Sequence, residues 1–157
     1  MENIEFRAKG IIKGEVVWVY GDLFKKWIQT NKNNGSLIYY IGSQIKDEHK
    51  NLWNEYWVVI SETVGQYTTI DAYKSNTETE RIYKGDIVEI VWDEIGSEIP
   101  QNFRGEVKFL EGKWVVDNGK ELVNLWQELA QWIILGNVID NPDLLTQRAT
   151  DGEVNVF

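Results

Sequence analysis

Along most of this chain apolar and polar residues alternate with a period of two. Ile4, Phe6 and Ala8 interleave with Glu5, Arg7 and Lys9, the pattern of a half-buried strand. A glycine-bounded turn (10–14) leads to Glu15-Val16-Val17-Trp18-Val19-Tyr20, whose β-branched and aromatic side chains suit a pleated surface. Gly21-Asp22 reads as a bulge or bend rather than an end. Leu23, Phe24, Trp27 and Ile28 have a spacing that one helical face would also satisfy. The strand reading is preferred, because Asn31-Lys32-Asn33-Asn34-Gly35 then closes a hairpin and Ser36 to Ile41 returns. Asn34-Gly35 would supply the two positive-φ positions of that turn.

The next stretch, Gly42 to Asn54, is polar, and Lys46 to Trp53 is read as a short helix. Glu55 to Ile60 is another strand. It leads into Glu62-Thr63-Val64-Gly65-Gln66-Tyr67-Thr68, a polar insert from Thr69 to Glu80, and Arg81 to Trp92. Within this last segment Val88, Ile90 and Trp92 share one strand face and Ile87, Glu89 and Val91 the other. Gly85, after Tyr83-Lys84, predicts a tight turn that needs φ > 0.

An acidic loop, Asp93 to Asn102, precedes a strand from Arg104 to Leu110. Glu111-Gly112-Lys113 predicts a tight turn, with Trp114-Val115-Val116 as its return strand, ended by Asp117-Asn118-Gly119. Leu122, Leu125, Trp126 and Leu129 repeat at i, i+3, i+4 and i+7, which predicts a helix over Glu121–Trp132. Asn118, with Glu121 three residues on, resembles its capping box. Trp132 to Ile139 is apolar on both faces and is expected to be central in a sheet. Asp140 to Leu145 predicts one helical turn, with Asn141 as cap and Pro142 at the first helical position. Gln147 to Phe157 has no period and reads as a loose tail (146–157 with Thr146), although Val154 to Phe157 would suit an edge strand.

The sum is eight to ten short strands against one or two short helices near the C-terminus. That predicts a mainly β, antiparallel protein of small barrel-like or strongly bent sheets. Its 157 residues suffice for a single domain, with two β subdomains meeting near 42–54 or 69–80 as the variant.

Composition narrows the chemistry. With no cysteine, disulfides, zinc thiolates and Cys nucleophiles are excluded. The one histidine, His49, lies among Lys46, Asp47, Glu48 and Lys50, so it reads as solvated, and Ser-His catalysis is not expected. No Gly-rich phosphate loop precedes a helix. The start of the chain lacks the character of a secretory signal, and no apolar run approaches the roughly 20 residues that span a bilayer, so a cytoplasmic protein is expected. The net charge is −9, and it is unevenly placed: residues 1–60 carry eight Lys/Arg and seven Asp/Glu, and residues 61–157 eight and eighteen. Such a chain as a whole repels phosphate, and no direct nucleic-acid binding is expected. The densest carboxylate group is Asp86, Glu89, Asp93 and Glu94. It is the one place where an oxygen-ligated ion would sit, but Asp86 and Glu89 point to opposite faces of a regular strand, so no metal and no cofactor is expected.

Three pieces together resemble the YopX family of phage and prophage proteins. They are Ile4 to Lys9 with Glu15 to Leu23; Thr63 to Thr68 with Ile82 to Val88; and Leu135-Gly136-Asn137-Val138-Ile139-Asp140-Asn141-Pro142-Asp143-Leu144-Leu145. Their order and placement match nearly the whole chain up to Leu145. The chain departs in the middle: the family has a shorter, glycine-containing connection after its Gln-Tyr-Thr, whereas Thr69 to Arg81 is longer and lacks glycine. The resemblance implies a mostly β fold and a phage or prophage origin, and no activity, since the family is one of unknown function. Gln66, Tyr67, Tyr83 and Asp86 recur in its motifs. They are the speculative binding residues; the competing reading is packing, with Asp86 accepting turn amides.

The expectation is a non-enzymatic accessory protein whose acidic second part faces a basic surface on a host or phage protein, DNA mimicry being one variant. The alternative is a small enzyme or nucleotide-binding domain with a pocket around Gln66-Tyr67 and Tyr83-Asp86.

Overall fold

The structure is a computed structural model. It describes residues 4–32, 34–46, 49, 52–75, 77–93, 102–128 and 130–146. Among these, eleven strands and two 3-10 turns account for nearly all regular structure, and every resolved ladder is antiparallel. The chain divides into two compact units between Tyr67 and Thr68. That point lies just ahead of the second range read as a seam.

In the first unit, β1 (Phe6–Ile12) and β2 (Glu15–Asn31) pair from Phe6 with Gly21 to Ile12 with Glu15. Lys13 and Gly14, both at positive φ, make the two-residue turn. β2 then changes partner. From Asp22 onward it pairs with β3 (Asn34–Lys46), which in turn pairs with β4 (Leu52–Val59). The bend expected at Gly21-Asp22 is therefore real. Gly21 has φ +148°, and a Cβ there would collide with the carbonyl of Gly42 on the neighbouring strand. β1 meets β4 at one bridge, Gly10 with Val59, so the sheet curls back without closing as a barrel. Its concave side buries Ala8, Val19, Ile41 and Val59, with Phe6, Leu23, Tyr39 and Trp57 packed against them. On the opposite face Trp18 receives the Arg7 guanidinium at 4.7 Å and the Lys9 ammonium at 4.6 Å from its ring centroid.

Two expectations in this unit change. The hairpin at the β2–β3 end exists, but its turn lies between Asn31 and Asn34, with the Asn34 amide donating to Asn31 Oδ1 at 2.9 Å. Asn34-Gly35 is already strand. The helix read into Lys46–Trp53 is displaced, because β3 runs on to Lys46 and β4 begins at Leu52. Asp47, Glu48, Lys50 and Asn51 lie outside the described residues.

β5 (Gly65–Ser75) begins in the first unit, pairing Phe6 with Gln66 and Arg7 with Gly65. Its remainder neighbours β6 (Glu78–Tyr83) in the second unit. The polar insert is therefore a hairpin: Ala72 and Ile82 point into the core while Asp71 and Tyr73 face solvent. The second sheet has the order β10 (Leu122–Asn124), β9 (Lys113–Asp117), β8 (Arg104–Leu110), β7 (Asp86–Asp93), β11 (Ala130–Asn137). The core of this unit gathers Ala72, Ile82, Val88, Ile90, Phe103, Val107, Val116, Leu125 and Trp132. Phe103 and Trp132 meet edge to face at 6.4 Å.

The helix expected over Glu121–Trp132 does not form. Asn118 Oδ1 does accept the amides of Lys120 (2.9 Å) and Glu121 (2.8 Å), the bonds a helix cap would make. Here they tighten the turn between β9 and β10, with Gly119 at φ +83°. Leu125 is fully buried whereas Leu122 and Trp126 are largely exposed, so the apparent helical face is divided. Among the described residues β11 is an edge strand rather than a central one, with β7 as its one neighbour in the sheet order. The Pro142–Leu145 turn is as read, 3-10 in type, with Asn141 at the cap position. The Asn141 side chain is used elsewhere, accepting the Asn137 amide at 3.3 Å. Gln147 to Phe157, read as tail, lies outside the described residues. Among the described residues no helix is long and apolar enough to cross a membrane.

Candidate functional site

The motif residues divide between the two units. Gln66 and Tyr67 belong to the first unit, where the Tyr67 amide donates to the Glu5 carbonyl at 2.8 Å. Tyr83 and Asp86 belong to the second and are brought together at the corner between β6 and β7. Both are buried, at 3% and 1% exposure. Asp86 Oδ2 accepts the Tyr83 amide at 2.7 Å. Gly85, at φ +86°, turns the chain between them; its amide donates to Val107 O and its carbonyl accepts from Val138 N, each at 2.9 Å. The corner is thereby tied to β8 and to the residue after β11. A buried carboxylate holding a backbone amide is a strong anchor, and this matches the packing reading of Asp86.

Of the other carboxylates in the acidic group, Glu89 has its own partner, and the Asp93 side chain lies outside what the structure describes. Glu89 Oε2 lies 2.7 Å from Arg104 Nε, directly across the β7–β8 ladder, and Arg104 also reaches the Leu144 carbonyl at 3.4 Å. This joins the two strands to the C-terminal 3-10 turn. Glu94 lies outside the described residues. Among the described residues no three carboxylate or histidine side chains come together as a metal site.

A second charged cluster stands on β8 and β9. Lys108 Nζ lies 2.8 Å from Asp117 Oδ2 and 3.3 Å from Glu106 Oε2, and Gly119 N donates to Asp117 Oδ1 at 2.7 Å. The Lys108 hydrogen bond, then the Gly119 amide, hold the Asp117 carboxyl below the usual aspartate range. The hydrogen bond to Asp117 raises Lys108 above the usual lysine value, against the opposing effect of its partial desolvation.

The second unit also holds a groove that the sequence reading did not locate. It has a volume of about 260 Å³ between β5–β6 and the connection from β10 to β11. Ile70, Ala72, Leu125 and Trp132 form its apolar floor. Trp126, 68% exposed, and Tyr73 stand at its side with Asp71, Thr79, Gln127 and Gln131. The floor is fixed by the Trp132 indole, whose Nε1 donates to Leu125 O at 2.8 Å. Thr79 Oγ1 lies 3.4 Å from Asp71 Oδ2. A periodicity that placed Trp126 on a buried helical face concealed the groove. The available signal was the turn-forming Asn118-Gly119 immediately ahead of so short an apolar run.

A family model described as YopX protein matches residues 5–146. No curated protein and no solved structure matches the chain. The match spans both compact units and includes the Gly85 corner and the Asn141-Pro142 turn, so the chain belongs to the YopX family.

Proposed function

We propose that this is a phage-type accessory protein that acts by binding another protein, with the groove of the second unit receiving a basic segment of that partner. The observation that carries the reading is the pairing of an open, aromatic-sided groove with carboxylate charge. Residues 68–157 contain eight Lys/Arg and seventeen Asp/Glu, whereas residues 1–67 contain eight of each. The whole acidic excess thus resides in the unit that holds the groove.

A lysine or arginine side chain laid along this groove would meet three compatible features. Its methylenes cover Ile70 and Leu125, its cation faces the Trp126 or Tyr73 ring, and Asp71 supplies the counter-charge. Gln127 and Gln131 offer amide groups to the partner's main chain. Cation–aromatic contacts at exposed sites contribute about 0.5–1 kcal/mol and more when water is excluded. The acidic field raises the encounter rate of a basic partner and weakens with salt.

The test is capture from host lysate at low and raised salt, comparing the native chain with a Trp126→Ala, Asp71→Asn variant. The expected result is a basic protein retained at low salt by the native chain, released by salt, and lost with the variant. Retention that is equal for both chains removes the groove from the reading.

A further inference from the structure

The charge of the chain has one local reversal. Between Asp22 and Asp47 there are four lysines (25, 26, 32 and 46) and no carboxylate, within a chain of net charge −9. This segment is the β2–β3 hairpin, and its outer part stands clear of the sheet. β4 ends opposite Tyr39, and β1 leaves β2 at Gly21, so from Lys26 with Ile38 outward the hairpin is a ribbon of two strands. Every β2 residue from Phe24 to Asn31 is exposed.

The exposed residues are not the polar set that a bare ribbon would carry. Trp27 is 63% exposed and Leu37, its direct partner on the ladder, 44%. The indole packs against Gly35: a Cβ there would stand 2.5 Å from its Cε2 and Cζ2 and 2.6 Å from its Nε1. The ring is thus braced on backbone at its Nε1–Cζ2 rim while most of its surface stays exposed. Beside it on the same strand face, Lys25 Nζ sits 5.5 Å from the centroid of Tyr39, its own ladder partner.

We infer that the β2–β3 hairpin binds single-stranded nucleic acid, a base stacking on the exposed Trp27 indole and the phosphates meeting Lys25, on the same strand face, and Lys32 in the turn. Aromatic faces interleaved with cations on a strand surface are the means by which single strands are held without sequence readout. A ring braced against a glycine is already positioned for stacking. This departs from the expectation set by the net charge of the whole chain. Association with a polyanion is governed by the local field within about 10 Å, and there the sign is positive. The inference is independent of the groove in the second unit.

The experiment is fluorescence anisotropy of a labelled 20-nucleotide oligothymidylate titrated with the full chain at low salt, repeated at stepped salt. Native protein is expected to bind, and two phosphate contacts give an affinity falling with a log–log slope of about −1.4. Trp27→Ala should weaken binding about tenfold, and Lys25→Glu, Lys32→Glu more. Gly35→Ala, which displaces the indole while leaving all charge, should weaken it as Trp27→Ala does. The substituted side chains are exposed, so thermal unfolding of the Trp27 and Lys variants should match the native chain. Trp126→Ala, Asp71→Asn should leave oligonucleotide binding unchanged. No binding at low salt overturns the inference. So does a Trp27→Ala variant that binds normally, or a 20-base-pair duplex bound as tightly as the single strand, since charge alone would then suffice. Self-association of the chain through this hairpin, seen by sedimentation and abolished by Trp27→Ala with no oligonucleotide bound, overturns it as well.

Discussion

The backbone amide of Tyr83 donates to the Asp86 carboxylate at 2.7 Å, with both residues buried. This bond spans the corner at which the chain leaves β6 and enters β7. Asp86→Ala leaves that buried amide without its acceptor, at a cost of about 1–3 kcal/mol. Asp86→Asn keeps an acceptor oxygen and loses the charge assistance, so its cost is smaller. Urea unfolding should order the midpoints as native, then Asn, then Ala. An Ala midpoint equal to the native one would show that the corner does not depend on this bond.

Leu122 and Leu125 give a direct comparison between strand and helix over the same residues. A helix with the i, i+3, i+4, i+7 stripe buries both. In the structure Leu125 is 0% and Leu122 58% exposed. Leu125→Ala should therefore cost about 2–5 kcal/mol, as full truncations in packed cores do, while Leu122→Ala should stay within about 0.5 kcal/mol of native stability. Equal losses at the two sites would restore the helix.

How far the fold is legible in the sequence depends on which residues make the signal. The strands at Phe6–Ile12 and Asp86–Asp93, the bend at Gly21-Asp22, and the turns at Gly85 and Glu111-Gly112 are as read, because strand-forming residues and positive φ leave local marks, whereas the alternation at Ile4–Lys9 holds only in part: Ile4 is 54% exposed and Arg7 is buried. The helix over Glu121–Trp132 is misread for a physical reason. An asparagine that accepts two following amides looks the same at a helix cap and at a tight turn, and four apolar residues cannot tell core from groove. The hairpin turn is misplaced by two residues because Asn34-Gly35 has the composition of a turn, while Gly35 is needed against the Trp27 ring. At the candidate site, Asp86 as an acceptor of turn amides was legible. The groove was not, since its walls come from segments some fifty residues apart whose contact no local pattern encodes.

Thr69 has φ +67° within β5, and for a β-branched residue this region is costly. The Thr68 hydroxyl holds the local bulge: Oγ1 accepts the Ile70 amide at 3.1 Å and lies 3.2 Å from the Ile70 carbonyl. Thr69→Gly removes the steric conflict at an exposed position, and should raise stability by about 1 kcal/mol after the entropy of glycine is counted. Thr68→Val, which is fully buried and loses both bonds, should lower it by about 1–2 kcal/mol. Differential scanning calorimetry reads both. A Thr69→Gly chain that melts below the native one would mean that the left-handed conformation is not what the sequence is resisting.

Lys108 and Asp117 set a pH dependence with two ends. The folded-state Asp117 carboxyl is depressed, first by the Lys108 hydrogen bond and then by the Gly119 amide. Its contribution is therefore complete above the ordinary aspartate value of about 4 and is lost as pH falls from there through the lower, folded value. Lys108 is raised in the folded state, so its contribution is complete below the ordinary lysine value of about 10.4 and is lost as pH rises through the higher, folded one. Between these limits the pair contributes a constant term. The lysine side chain is 35% exposed, so solvent screens the pair, and the term is about 0.5–1 kcal/mol. Asp117→Asn should lower stability by that amount at pH 7. It should also flatten the acid limb of the stability curve below pH 4, where native and variant converge. Raising salt to 1 M should shrink the difference at pH 7. A variant that loses as much stability at pH 2 as at pH 7 would assign the effect to the Gly119 turn and not to the ion pair.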